Sequence, residues 1–269
     1  MRQWRLIYDI PSPGAWNMAV DEAILGAVAD GSQPPTLRLY RWAPPCLSLG
    51  YGQRSADVDF ARVDSLGWRV VRRPTGGKAI LHTDELTYSV VVPLTDPLAA
   101  GDIVESYRRI STALQAALTT LGAQTQADPQ QVGVKSTGPV CFEVPSHYEI
   151  TVDGRKLIGS AQLRRQGVLL QHGTLPLTGD LGRICDALHY ADETARFQAR
   201  QDVLKRAFTL EDALGLPVSW EAAAQAVVGA FTKTFSLAFI PQTLSAQEWE
   251  MAQRTSAEKY GMSFWTLRR

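Results

Sequence analysis

The chain has 269 residues, 45% of them apolar and 20% charged, and its 27 basic and 27 acidic side chains balance to a net charge of zero. Such a chain can bury a sizeable core, and the charge balance excludes a general nucleic-acid or membrane-surface footprint. The three cysteines (Cys46, Cys141, Cys185) are odd in number and far apart, which argues against a disulfide framework and for a reducing, cytoplasmic setting. Neither they nor the scattered His82, His147, His172 and His189 show metal-ligand spacing, so no metal is expected. The N-terminus lacks the apolar region of a signal peptide, and Thr83-Asp84-Glu85 interrupts the longest apolar run, so no membrane span is expected.

In chain order, residues 4–9 read as a short strand ended by Pro11-Ser12-Pro13-Gly14. Trp16, Val20, Ala23 and Ala27 then recur at helical spacing, with Asp21-Glu22 on the opposite face. Residues 36–42 alternate as a strand does, Pro44-Pro45 breaks them, and residues 46–50 form another short apolar strand. Residues 53–61 are polar and begin a helix that ends near Gly67. Residues 68–72 are a strand running into Pro74-Thr75-Gly76-Gly77, and residues 86–92 (LTYSVVV) are a further strand. Between Asp102 and Gly122, the positions Ile103, Tyr107, Ile110, Leu114, Ala117 and Leu121 mark the clearest helix, with Gly122 placed as a C-terminal cap. Residues 123–138 have no period and read as a mobile loop.

Residues 139–176 read as a meander: a turn-rich approach holding Cys141, a strand, the Asp153-Gly154 turn, a strand opening on Lys156, the Gln166-Gly167 turn and a third strand. The tail is helical. A short helix spans 183–190, Thr209 and Asp212 have capping-box spacing, and Trp220, Ala224, Val227, Phe231 and Phe235 mark another helix. Ser245 and Glu248 open a last one reaching about Tyr260. No composition break marks a linker, so one domain covering residues 1–269 is expected, with a core at about 31–240 and a helical tail at about 241–269.

Two stretches carry candidate chemistry. Arg72-Arg73-Pro74-Thr75-Gly76-Gly77-Lys78 places two glycines after a strand, beside three cations. It has neither P-loop nor dinucleotide-fingerprint spacing, and a plain turn with solvated basic residues is the structural alternative. Cys46 and Cys185 fall in apolar runs, as small buried hydrophobes do, whereas Cys141 falls on a loop edge. An unperturbed thiol, with a pKa of about 8.5, is only a few per cent thiolate at neutral pH, so a nucleophilic Cys141 needs a cation nearby. Lys156 is the nearest lysine in sequence on a fixed element, although a solvated strand-end lysine is the plainer reading. Folding about Asp153-Gly154 sets Lys156 roughly opposite Thr151, so hairpin register alone does not bring it to Cys141. His82, His147 and His172 are rivals as base or orienter, or ordinary structural histidines.

Taken together these segments resemble the lipoate- and biotin-protein ligase superfamily, most closely its LipM-type octanoyltransferases. The resemblance runs from Asn17-Met18-Ala19-Val20-Asp21-Glu22-Ala23 through residues 47–53 (LSLGYGQ) and 72–82 (RRPTGGKAILH). It continues with Cys141-Phe142, Lys156, Gly159-Ser160-Ala161-Gln162, Leu170-Gln171-His172-Gly173 and Lys259-Tyr260-Gly261. It implies an α/β (α+β) fold, a curved mixed or antiparallel sheet flanked by helices, with C-terminal helices and an apolar tunnel for a medium-length acyl chain. It implies octanoyl transfer from acyl carrier protein to a lysine of a lipoyl domain, such as the glycine-cleavage H protein, by a monomer.

By the same resemblance Cys141 matches the acyl-thioester position and Lys156 the lysine that lowers its pKa. Arg73, Thr75, Gly76, Gly77, His82, Gly159, Ser160, Ala161 and His172 match substrate-binding positions. Lys78 stands where adenylating lipoate ligases usually carry a third glycine, and those ligases lack a cysteine at the Cys141 position, so no ATP or other cofactor is expected. The competing readings are an ATP-dependent lipoate ligase, an octanoyl amidotransferase between lipoyl domains, and a non-catalytic acyl-binding module. Because both expected partners are acidic, Arg72, Arg73, Lys78, Arg164 and Arg165 are expected to form a docking surface.

Overall fold

The structure, a computed structural model, describes residues 1–128 and 149–269. Cys141 and His147 therefore lie outside the described residues, as does most of the stretch read as a loop. The strands are β1 (Arg2–Tyr8), β2 (Thr36–Tyr40), β3 (Cys46–Leu49), β4 (Arg69–Arg72), β5 (Ile80–His82), β6 (Glu85–Pro93), β7 (Gln126–Asp128), β8 (Glu149–Val152), β9 (Arg155–Arg165), β10 (Val168–Pro176) and β11 (Leu237–Pro241). The helices are α1 (Gly14–Ala29), α2 (Phe60–Ser65), α3 (Ile103–Thr120), α4 (Glu193–Arg206), α5 (Leu210–Leu214), α6 (Trp220–Phe235), α7 (Ala246–Thr255) and α8 (Ser263–Thr266). Among the described residues no helix is long and apolar enough to cross a membrane.

An eight-stranded mixed sheet runs β11-β1-β2-β6-β10-β9-β8-β7, and a three-stranded sheet runs β4-β3-β5. Strict alternation sorts side chains between the two faces of the large sheet. Leu86, Tyr88, Val90 and Val92 of β6, with Leu169 and Leu175 of β10, face α3 and α6. Val91, Val168 and Leu170 face the other way, toward α1 and α7. The small sheet packs its Leu47 and Leu49 against Ile184, Cys185 and Leu188 and against Val203 of α4. This is the expected α/β class, a large mixed sheet flanked by helices.

The local signals act as read. Asp102 and Glu105 form a reciprocal capping box at α3, and Gly122 takes a positive φ of 99° just past its end. Thr209 with Asp212 and Ser245 with Glu248 cap α5 and α7 in the same way. Both β9 turns have positive φ at two successive residues, Asp153-Gly154 and Gln166-Gly167, as type I′ hairpins require.

Several readings are corrected. Asp21 of α1 is fully buried rather than on a solvent face, because Arg38 and His172 pair with it. Leu181–Ala187 is a 3₁₀ turn rather than an α-helix from 183 to 190. The helix opened by Ser245 does reach Tyr260, but only Ala246–Thr255 is α-helical and Ser256–Tyr260 is π-helical. Gln126–Asp128 is strand rather than loop, pairing antiparallel with β8. The helical stretch after Gln53 is a 3₁₀ turn, Ser55–Asp57, followed by α2, which Asp59 caps.

One contact makes the loops after β3 and β4 a single unit. A Cβ on Gly50 would overlap the carbonyl oxygen of Gly77, so the two backbones touch. Gly52, two residues on, has open space around it. Gly50→Ala should therefore cost about 1–3 kcal/mol or more, while Gly52→Ala stays within about 0.5 kcal/mol. Urea denaturation of both variants measures the contrast.

Candidate active site

The pocket lies where the α1-facing side of the large sheet meets the small sheet. It offers about 40 Å³ of cavity space as the side chains stand, and its walls are mainly apolar. Alternation explains its composition. His172 and Thr174 of β10 share a face with Val168 and Leu170, and their cross-strand partners Ala161 and Gly159 share it too. Thr87 of β6 and Tyr40 of β2 continue that wall, Met18 enters from α1, and Ser48, Ile80 and His82 close it from the small sheet.

Most of the expected site residues meet here. Arg73, Gly77, His82, Gly159, Ser160, Ala161 and His172 all border the pocket. Ser160 turns its hydroxyl to the far side of the sheet, where Tyr88 Oη lies 2.7 Å from its Oγ. Gly173 permits that crossing, because a Cβ there would come 2.7 Å from Tyr88 Cε1. Thr75 is buried behind the loop, with its Oγ1 2.7 Å from His172 Nε2. Gly76 is exposed, and its carbonyl accepts from Arg73 Nη2 at 2.8 Å. Cys141 lies outside the described residues. Of the other cysteines, burial pushes the Cys46 thiol up to about 12, which suits the buried hydrophobe expected of it.

Lys156 is placed by a β-bulge. Ile150 pairs with Ile158 and Thr151 with Lys156, so Leu157 is the extra residue on β9. Leu157 and Ile158 both join the α3-side core, as do Ile150 and Val152 of β8. The register therefore turns Lys156 and Thr151 to the opposite face, the one that carries Gly159 and Ala161. Lys156 is 3% exposed and lies three residues from Gly159, about 10 Å along the strand. Its carbonyl accepts from Phe208 N–H at 3.0 Å, which ties the bulge to the segment after α4.

The basic residues expected as a docking surface divide. Arg72 and Arg73 are buried and serve backbone carbonyls instead. Arg72 donates to Gly50 O (2.8 Å), Gln53 O (2.6 Å) and Thr266 O (2.7 Å). Arg73 donates to Ser48 O (3.0 Å), Gly76 O (2.8 Å) and Lys78 O (2.8 Å). Arg164 is spent on Gly101 O and Asp102 O, both at 2.7 Å, at the start of α3. Arg165 is exposed and lies 3.4 Å from Glu22, and Lys78 is half-buried.

Sequence reasoning missed the polar groups behind the pocket. Asp21 Oδ2 lies 3.0 Å from His172 Nδ1, and Asp21 Oδ1 accepts from Arg38 Nη1 at 2.8 Å. His82 stacks on Trp42 with ring centres 3.9 Å apart, and its nitrogens reach Glu85 (2.7 Å) and Ser48 (2.8 Å). Asn17 and Asp21 fall with Ile24 and Val28 at steps of four, three and four, a stripe that carries two polar groups into the core. Burial would raise the Asp21 carboxyl, but the hydrogen bond from His172 and the charge of Arg38 outweigh it and hold the pKa below the ordinary value. Burial pulls His172 below the ordinary imidazole range despite that carboxylate, so it is neutral at neutral pH.

The fold is that of solved lipoate-protein ligases. A bipartite lipoate protein ligase from Thermoplasma acidophilum superposes with a TM-score of 0.84 at 24% identity, covering 99% of this chain and 97% of that one. A lipoate-protein ligase A bound with ATP gives 0.80 at 24% identity, covering 99% of each chain. At that identity these likenesses concern the fold. The family model "Lipoyl protein ligase A/B catalytic domain" matches residues 13–232, and the chain belongs to that family. It is 41% identical to octanoyltransferase LipM of Kyrpidia tusciae over the full length of both, and 41% identical to LipM of Moorella thermoacetica over 99% and 98% of the two chains.

The depressed His172 pKa has a signed consequence. Folded His172 holds its proton less tightly than in the unfolded chain, so below pH ~6.5 the unfolded state binds more protons and stability falls with pH. Asp21 and Glu22, both held low, add their losses only as pH falls through ~4. Urea unfolding at pH 7.5 and 5.5 should show this loss, and His172→Gln should show a smaller one.

Proposed function

We propose that this chain transfers an octanoyl group onto the lysine of a lipoyl domain, with acyl carrier protein as donor and Cys141 as the intermediate acyl carrier. The octanoyltransferase relatives, similar over the whole chain, support the reaction class. The observation that carries the site assignment is the bulge at Leu157, which turns Lys156 to the face of Gly159, Ala161 and His172 along an apolar pocket.

In this reading the acyl chain enters that pocket and the thioester carbonyl stays at its mouth. The Cys141 sulfur attacks the carbonyl, the C–S bond to the carrier's thiol breaks, and that thiol leaves with the proton. The acceptor lysine's amine then attacks acyl-Cys141, an amide forms and the Cys141 thiol is regenerated. Thioester exchange is nearly isoenergetic, and amide formation drives the second step. Splitting the transfer this way is ordinary covalent catalysis. Lys156 takes the Cys141 proton and holds a positive charge beside the thiolate, and backbone donors of Gly76-Gly77 face the developing oxyanion. No nucleotide or other cofactor takes part. The reaction runs in a monomer, in the cytoplasm.

Intact-mass analysis after incubation with octanoyl-acyl carrier protein tests the reading. Wild type should gain one octanoyl group without ATP and pass it to a lipoyl domain. Cys141→Ala should gain none, and Lys156→Ala should acylate about 10²–10⁴-fold more slowly. ATP-dependent modification that survives loss of Cys141 would favour a ligase instead.

A further inference from the structure

Thr75 is 1% exposed although the Gly76-Gly77 turn beside it is open to solvent. It is gripped at two points. Its carbonyl accepts from Tyr51 N–H at 2.8 Å, and its hydroxyl meets His172 Nε2 at 2.7 Å. Behind His172 stands Asp21, whose carboxylate also receives Arg38 Nη1 and Tyr40 Oη (2.8 and 3.1 Å).

The direction of every hydrogen bond in this row follows from its far end. Arg38 stays protonated and can only donate. Asp21 is therefore an ionised acceptor, which the lowered carboxyl pKa supports. The His172 nitrogen facing it, Nδ1, must carry a proton. In neutral imidazole Nε2 is then an acceptor, so the Thr75 hydroxyl donates to it. The row thus converges on Asp21, which accepts from Arg38 and Tyr40 on one side and from His172, itself the acceptor for Thr75, on the other.

A second row approaches the same loop from the small sheet. Glu85 faces His82 Nδ1 at 2.7 Å, and Ser48 Oγ meets His82 Nε2 at 2.8 Å. Ser48 Oγ also accepts from Arg73 Nη1 at 3.1 Å, and Arg73 Nη2 holds the carbonyls of Gly76 and Lys78. Acid, histidine and hydroxyl recur in the same order, and both rows end on residues 75–78.

We propose that Asp21 and His172 are positioning residues that act through Thr75, holding the Gly76-Gly77 loop at the pocket mouth with His172 as the neutral Nδ1–H tautomer. The Glu85–His82–Ser48 row braces the other end of the loop through Arg73. Thr75, which does not border the pocket, thereby becomes the support on which the loop donors are aimed, and His172 borders the pocket and holds that support. The inference rests on the acyl-transfer reading for its catalytic meaning, and a loop displaced by about 1 Å costs such chemistry on the order of 10²-fold.

The test pairs Thr75→Val, which keeps the shape and removes the hydroxyl, with Thr75→Ser, which keeps the hydroxyl. Acyl-enzyme formation should slow about 10²-fold in Thr75→Val, with the donor concentration for half-saturation changed less than about threefold, and Thr75→Ser should restore most of the rate. Nitrogen-15 spectra of the wild-type imidazoles should show His172 as the neutral Nδ1–H tautomer from pH 6.5 to 8. A Thr75→Val rate equal to wild type overturns the proposal, and so does an Nε2–H or cationic His172 in that range. If wild type itself takes up no octanoyl group, the acyl-transfer reading fails, while the tautomer still decides whether the hydrogen-bond directions of the row hold.

Discussion

The site depends on an ion pair buried in the middle of the protein, Asp21 of α1 with Arg38 of β2. Neither side chain has measurable exposure. Removing two charges from water is expensive, and the cost is met only when every lone pair and proton finds a partner. Here Arg38 also reaches Asp9 (2.6 Å) and the side-chain oxygen of Asn17 (2.8 Å), and stacks on the Tyr40 ring. Losing one member of such a pair typically costs about 3–5 kcal/mol, which fixes α1 against the sheet in one position. From that position the carboxylate orients His172, and through it the loop.

The same economy governs the basic stretch. Charged side chains after a strand suggest a solvated or docking role. In this fold Arg72 and Arg73 instead hold the carbonyls of two loops that approach too closely for a regular ladder. Buried carbonyls need donors, and one guanidinium supplies several in a fixed plane. Around the pocket, therefore, cations organise backbone, a carboxylate organises a histidine, and the bulge at Leu157 organises the lysine.

Much of this was legible in the sequence, for identifiable reasons. The amphipathic period of α3, the capping boxes of α5 and α7 and the two glycine turns of the meander are local signals, and each acts within a few residues. The pairing of Lys156 with Thr151 followed from turn geometry alone. What stayed hidden depends on partners far along the chain. The burial of Asp21 needs Arg38 and His172, and α4 gives no local signal because its charged sequence has no clear apolar stripe. Strand β11 pairs in parallel with β1, more than two hundred residues earlier. The side on which Lys156 emerges depends on a bulge that no turn signal announces.

Arg72 carries a consequence of another kind. Its hydrogen bonds all go to main-chain oxygens, and it forms no ion pair with a carboxylate among the described residues. Carbonyl dipoles satisfy its geometry without cancelling its charge, so its positive field persists between residues 50–53 and Thr266. A guanidinium does not titrate in the working range, which makes that field constant with pH. Beside low-dielectric walls such a field is felt beyond contact distance, to about 8 Å at physiological ionic strength. That charge is the same at every working pH, and dissolved salt, rather than acidity, is the variable that screens it.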